Sequence, residues 1–135
     1  MCVALSPEVA VVSFVSCVAE KIRNKKSGID EIFRIRFKPG IIIEYTRVLK
    51  QYDDVTRCFT EETLKEAFRN KWNDIFEFDG EGCVKLKKER IEGLSDCHDD
   101  YAKPIVRYLV PRMRVRLNDY TPDFLKDAGI YRDDG

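Results

Sequence analysis

The sequence predicts an α+β fold in one domain: an antiparallel sheet of four to five strands, formed from two β-hairpins, with helices packed on one face. Three observations predict it. Glu31 to Lys50 alternates with period two on both sides of Pro39-Gly40, and Cys83 to Lys87 alternates again after an Asp79-Gly80-Glu81-Gly82 turn. Helical signals precede each of these stretches. The 135 residues suit one domain able to bury a core without staples, and 44% hydrophobic content excludes a disordered chain.

The first helix is expected over Pro7 to Arg23. Ser6 is its N-cap, Pro7 its first helical residue and Glu8 an acid in its first turn. Val9 to Ala19 is broken only by Ser13 and Ser16, and a helix apolar nearly all round is buried on most sides. Ala10, Ser13 and Cys17 form a strip of small residues that admits a close neighbour. The expected role is a central core helix; a homodimer contact is the alternative. The run is too short to span a bilayer and lacks the basic start of a signal peptide, so no membrane partner is expected.

Ser27-Gly28 reads as a C-cap, and the first hairpin follows. Its first strand sets Arg34, Arg36 and Lys38 on one face and Phe33, Ile35 and Phe37 on the other. Gln51 to Arg57 reads as a polar connection. Thr60 caps a second helix whose apolar stripe is Leu64, Ala67, Phe68 and Trp72. Asp74 to Phe78 and Cys83 to Lys87 form the second hairpin, with Lys85 and Lys87 on one face. Two helix–hairpin units in succession raise the idea of an αββ duplication, although their spacings differ.

Residues 89–103 read as a polar loop. Tyr101, Ile105, Tyr108 and Leu109 suit a third helix with Pro104 in its first turn; a strand over Ile105 to Val110 is the alternative, and Pro111 ends either. Arg112, Arg114 and Arg116 alternate with Met113, Val115 and Leu117 as a half-buried strand. Thr121-Pro122 opens a short last helix, and residues 131–135 form a frayed tail.

Charge is balanced overall, with 24 basic and 24 acidic residues, but it is segregated along the chain. Lys21 to Lys50 holds nine basic and three acidic residues, whereas Gln51 to Gly82 holds four and nine. The high charged fraction, 36%, with one glutamine and one histidine, is a thermophile-like composition, which five cysteines argue against. Those cysteines (Cys2, Cys17, Cys58, Cys83 and Cys97) have no CxxC spacing, so reduced thiols in a cytoplasmic protein are expected.

No constellation of catalytic residues is evident, and neither a cofactor nor a metal is expected. His98 lies in Asp96-Cys97-His98-Asp99-Asp100, whose residue types could ligate a metal but whose spacing does not suit one. The isolated glycines make no phosphate loop. A winged helix-turn-helix is disfavoured because no closely spaced helix pair precedes Thr60 to Trp72.

The feature that carries a functional expectation is the set of basic strand faces: Arg34, Arg36 and Lys38; Lys85 and Lys87; Arg112, Arg114 and Arg116. On one sheet, with Tyr45 or Tyr108 nearby, they would suit the backbone of a nucleic acid. The plainer alternative is a solvated face neutralised by cross-strand acids such as Glu44 and Glu77. The expectation is therefore a small non-enzymatic binding protein, nucleic-acid-associated or regulatory. The second expectation is a protein–protein interaction or oligomeric module that uses the Pro7–Arg23 helix, with self as partner.

Overall fold

The computed structural model describes residues 7–24, 29–49, 59–87 and 102–113. In chain order these form α1 (Pro7–Asn24), a 3₁₀ turn (Ile29–Arg34), α2 (Gly40–Glu44) running directly into a π turn (Tyr45–Leu49), α3 (Glu61–Asn70), β1 (Phe76–Phe78), β2 (Val84–Leu86) and α4 (Ala102–Met113). The fold is α+β.

α1 forms where its apolar run predicts. Val9, Ala10, Val11, Val12, Val15 and Ala19 are almost completely buried. The helix packs on α4, on the 3₁₀ turn and on α2, so its apolar surface is largely consumed within the chain. No helix among the described residues is long and apolar enough to cross a membrane.

α3 starts at Thr60, whose extended backbone and side-chain oxygen cap the helix by accepting from the Thr63 backbone N–H at 3.3 Å. Glu61 and Glu62 lie in the first turn, where the helix dipole favours acids, and Lys65 reaches back to both. The expected stripe faces inward: Leu64, Phe68 and Trp72 are buried and Ala67 is half-buried. Phe68 is the hub of an aromatic cluster, with edge-on centroid distances of 5.0 Å to Phe76, 5.2 Å to Trp72 and 6.1 Å to Phe37.

The second hairpin is present, with Phe76 opposite Leu86, Glu77 opposite Lys85 and Phe78 opposite Val84. Its loop closes on Asp79. The backbone N–H of Asp79 donates to the Cys83 carbonyl at 2.9 Å, and the Asp79 carboxylate accepts from the N–H groups of Glu81 and Cys83. Gly82 takes the left-handed conformation, φ 82°, that completes such a three-residue loop.

The first hairpin does not form. Over Glu31 to Leu49 the chain makes a 3₁₀ turn, an extended stretch and then helix. Only Phe37 keeps strand-like pairing, in an isolated antiparallel bridge to Val84. Pro39 does not start a β-turn but opens α2, with φ −52° and ψ −35°; its fixed φ suits a helix start as well as a turn. Past it, burial follows helical spacing: Ile42, Tyr45 and Thr46 are buried while Ile41, Glu44, Arg47 and Val48 are exposed. Thr46 joins the interior by donating its hydroxyl to the Ile42 carbonyl at 2.8 Å. The described sheet thus has two strands, not four to five, and the αββ duplication has no first hairpin to rest on.

α4 is a helix, not a strand, and it continues through Pro111 to Met113. Pro111 has no N–H to give the Arg107 carbonyl and its ring crowds that carbonyl one turn back, so the helix continues at the cost of one backbone hydrogen bond. Arg112 and Met113 are therefore helical, contrary to the strand expected from their alternation. Ala102 and Lys103 belong to α4 rather than to the polar loop. Outside the described residues lie the rest of that loop, Arg114 to Leu117, the Thr121-Pro122 helix, the 131–135 tail, the Gln51 to Arg57 connection, and the Ser6 and Ser27-Gly28 caps.

Candidate binding surfaces

The basic set begins beside the hairpin. Because Phe37 and Val84 exchange backbone hydrogen bonds, the extended stretch through residue 37 lies along β2 like a short third strand. Phe37, Val84 and Leu86 turn inward. By alternation Arg36, Lys38, Lys85 and Lys87 turn to the other side. The two stretches that the sequence treats as separate faces thus share one.

The same face carries acids. The Arg36 guanidinium pairs with the Asp79 carboxylate and, at 3.1 Å, with Glu81. Glu81, then Asp79, hold the guanidinium above its usual pKa. The Asp79 carboxyl is held below its usual range, first by the Cys83 N–H, then by the Glu81 N–H and by Arg36. Lys85 sits 3.3 Å from Glu77, its cross-strand neighbour. Two of the four cations are therefore directly countered.

The remaining members are dispersed. Arg34 is exposed at the end of the 3₁₀ turn. Arg112 lies at the end of α4, where its guanidinium covers the Tyr108 ring at 3.7 Å and donates to the Tyr108 carbonyl at 3.1 Å. Arg114 and Arg116 are outside the described residues. Arg112 covers one face of the Tyr108 ring, and Tyr45 is buried.

A second surface lies between α1 and α2. It is an open cleft of about 300 Å³ lined by Phe14, Cys17, Val18, Lys21, Ile41, Glu44, Tyr45 and Val48. The α1 contribution falls at i, i+3, i+4 and i+7, one stripe of the helix. Facing it, Ile41, Glu44 and Val48 form a second stripe from α2 and the π turn. Among the described residues Ile41 and Val48 are the large exposed apolar side chains, 42% and 67% exposed. Tyr45 forms the floor, with its hydroxyl 3.1 Å from the Ser13 hydroxyl. Burial pushes the phenol up to about 12, an effect the Ser13 bond partly offsets and neighbouring Cys17 reinforces. The floor is therefore uncharged at neutral pH.

The small residues Ser13 and Cys17 thus make room for Tyr45 of the same chain. Cys17 is a half-buried free thiol at the cleft, and Cys83 is also free and half-buried. Among the described residues no cluster of His, Cys, Asp and Glu could hold a metal ion, and Asp96 to Asp100 lie outside them. Sequence reasoning missed the cleft because Ile41 to Leu49 read as a strand. The signal that finds it is the i, i+3, i+7 spacing of Ile41, Glu44 and Val48. Comparison with known protein families, curated proteins and solved structures finds no match.

Proposed function

We propose that this chain is a small non-enzymatic binding protein that works by protein–protein contact, taking an apolar protein surface into the cleft between α1 and α2. The observation that carries this reading is the exposure of Val48 and Ile41 beside an apolar concavity. Large aliphatics at the edge of a cleft are a feature of interaction sites, because desolvating them on binding is favourable. The non-enzymatic part rests on the sequence, with its single histidine and lack of a phosphate loop. The free thiols of Cys17 and Cys83 suit a reducing compartment such as the cytoplasm.

A second reading, backbone contacts to nucleic acid through Arg34, Arg36, Lys38, Lys85, Lys87, Arg112, Arg114 and Arg116, is supported by the shared face of Arg36, Lys38, Lys85 and Lys87. It ranks lower because Glu77, Asp79 and Glu81 stand among those cations.

An isotope-edited NMR titration with two probes separates the readings. An amphipathic helical peptide should shift the resonances of Val18, Ile41 and Val48, and Val48→Asp should abolish those shifts. A mixed-sequence oligonucleotide at low salt should leave residues 34–38 and 84–87 unmoved. Shifts at those residues that vanish with added salt would replace the proposal with the nucleic-acid reading.

A further inference from the structure

The two walls of the cleft differ in charge. Lys21 stands on the α1 wall and Glu44 on the α2 wall; both are exposed, and neither has an ion-pair partner among the described residues. Between them the lining is apolar apart from Cys17 and the Tyr45 hydroxyl. The same surface carries its own projections, Ile41 and Val48, beside its own concavity.

A surface with projections, a concavity and one charge of each sign on opposite walls has the parts that a two-fold contact with its own copy requires. Each contact in such an interface occurs twice, residue i of one copy on residue j of the other. Setting the α1 wall of one copy against the α2 wall of its partner brings Lys21 to Glu44 on both sides. It also offers each Val48 the other copy's cleft. A charge pair at the rim fixes orientation, while the apolar centre provides the affinity.

We propose that the occupant of the cleft is a second copy of this chain, held in a two-fold dimer by Val48 and Ile41 and registered by reciprocal Lys21–Glu44 pairs. This inference rests on the protein-interaction reading of the cleft and names its partner.

Sedimentation velocity over a wide concentration range tests it, with alkylation of Cys17 mapped by peptide mass spectrometry. The expected result is a monomer–dimer equilibrium, with Cys17 protected as concentration rises. Val48→Asp should abolish the dimer without lowering thermal stability below that of the parent at dilutions where it is monomeric, because the side chain is exposed in the single chain. Lys21→Glu and Glu44→Lys should each weaken dimerisation about tenfold, and the double variant should restore it. A dimer insensitive to all of these variants would use another face and overturn the inference. A chain monomeric at every concentration also overturns it. In that case the cleft reading survives if the amphipathic peptide still shifts Val18 and Ile41, and falls if it does not.

Discussion

Phe37 and Val84 exchange both of their backbone hydrogen bonds, at 3.0 and 2.7 Å, although 47 positions separate them. This bridge fastens the stretch between α1 and α2 to the hairpin and sets the Phe37 ring among Phe14, Phe68 and Phe76. Phe37→Ala should therefore cost about 3 kcal/mol, through lost burial and the cavity left behind. Urea denaturation would measure it, and a cost well under 1 kcal/mol would mean that the ring is not part of the core.

Tyr45→Phe should destabilise the chain by about 1 kcal/mol, because it leaves the buried Ser13 hydroxyl without this partner. It should also change the alkaline limb of stability. Burial pushes the folded-state phenol up to about 12, whereas an unfolded tyrosine titrates at about 10. Above about pH 10 the unfolded state binds fewer protons than the folded one, so stability is full below that pH and falls as pH rises toward 12. Thermal melts across this window should show the decline in the parent and less of it in the variant.

Asp79 should govern part of the acid limb. Its carboxyl is held below the usual range, so the stability it contributes is present above about pH 4 and lost as pH falls through its folded-state value. Asp79→Asn keeps an oxygen for the two loop N–H groups but removes the charge facing Arg36. Melts of the variant should lose less stability on acidification than the parent does, whereas Asp79→Ala should destabilise the hairpin at every pH. Parallel acid limbs in parent and Asn variant would remove Asp79 from this role.

The two glycines of the hairpin loop should respond differently. Gly82→Ala forces a side chain into φ 82° and should cost about 1–2 kcal/mol. At Gly80 nothing lies within 4 Å of an added Cβ, and its φ is not in the left-handed region. Gly80→Ala should therefore shift stability by no more than about 0.5 kcal/mol. Chemical denaturation of the pair checks the loop geometry directly.

The sequence announced the elements whose signals agree with one another. For α3 the Thr60 cap, the acids at Glu61 and Glu62 and the stripe through Trp72 all specify one helix. For the second hairpin the Asp79 turn and the alternation after it do the same. Ile41 to Leu49 carried conflicting signals: β-branched residues favour strands, but strand preference is largely a packing preference, and here the packing on α1 rewards helical spacing. Pro39-Gly40 did not decide the matter, because the same dipeptide opens a turn or a helix. At the surface, the exposure of Arg36 and Lys85 was readable, and Glu77 was readable as the neutralising partner of Lys85. Asp79 and Glu81 were not readable as partners of Arg36, because only the Phe37–Val84 bridge brings the two segments together. The cleft stayed hidden for the same reason: one of its walls is the helix mistaken for a strand.

The seam between α1 and α4 also bears on how the chain is made. α1 leaves the ribosome before α4, with Val9, Val11, Val12 and Val15 apolar, and α4 follows only after ~80 further residues, roughly 4–15 s at ordinary elongation rates of ~5–20 residues per second. During that interval the valine-rich helix can close on the 3₁₀ turn and on α2 but lacks α4, its most extensive partner. Until α4 emerges part of that apolar face stays open, so slowing translation between residues 24 and 102 should lower the soluble yield.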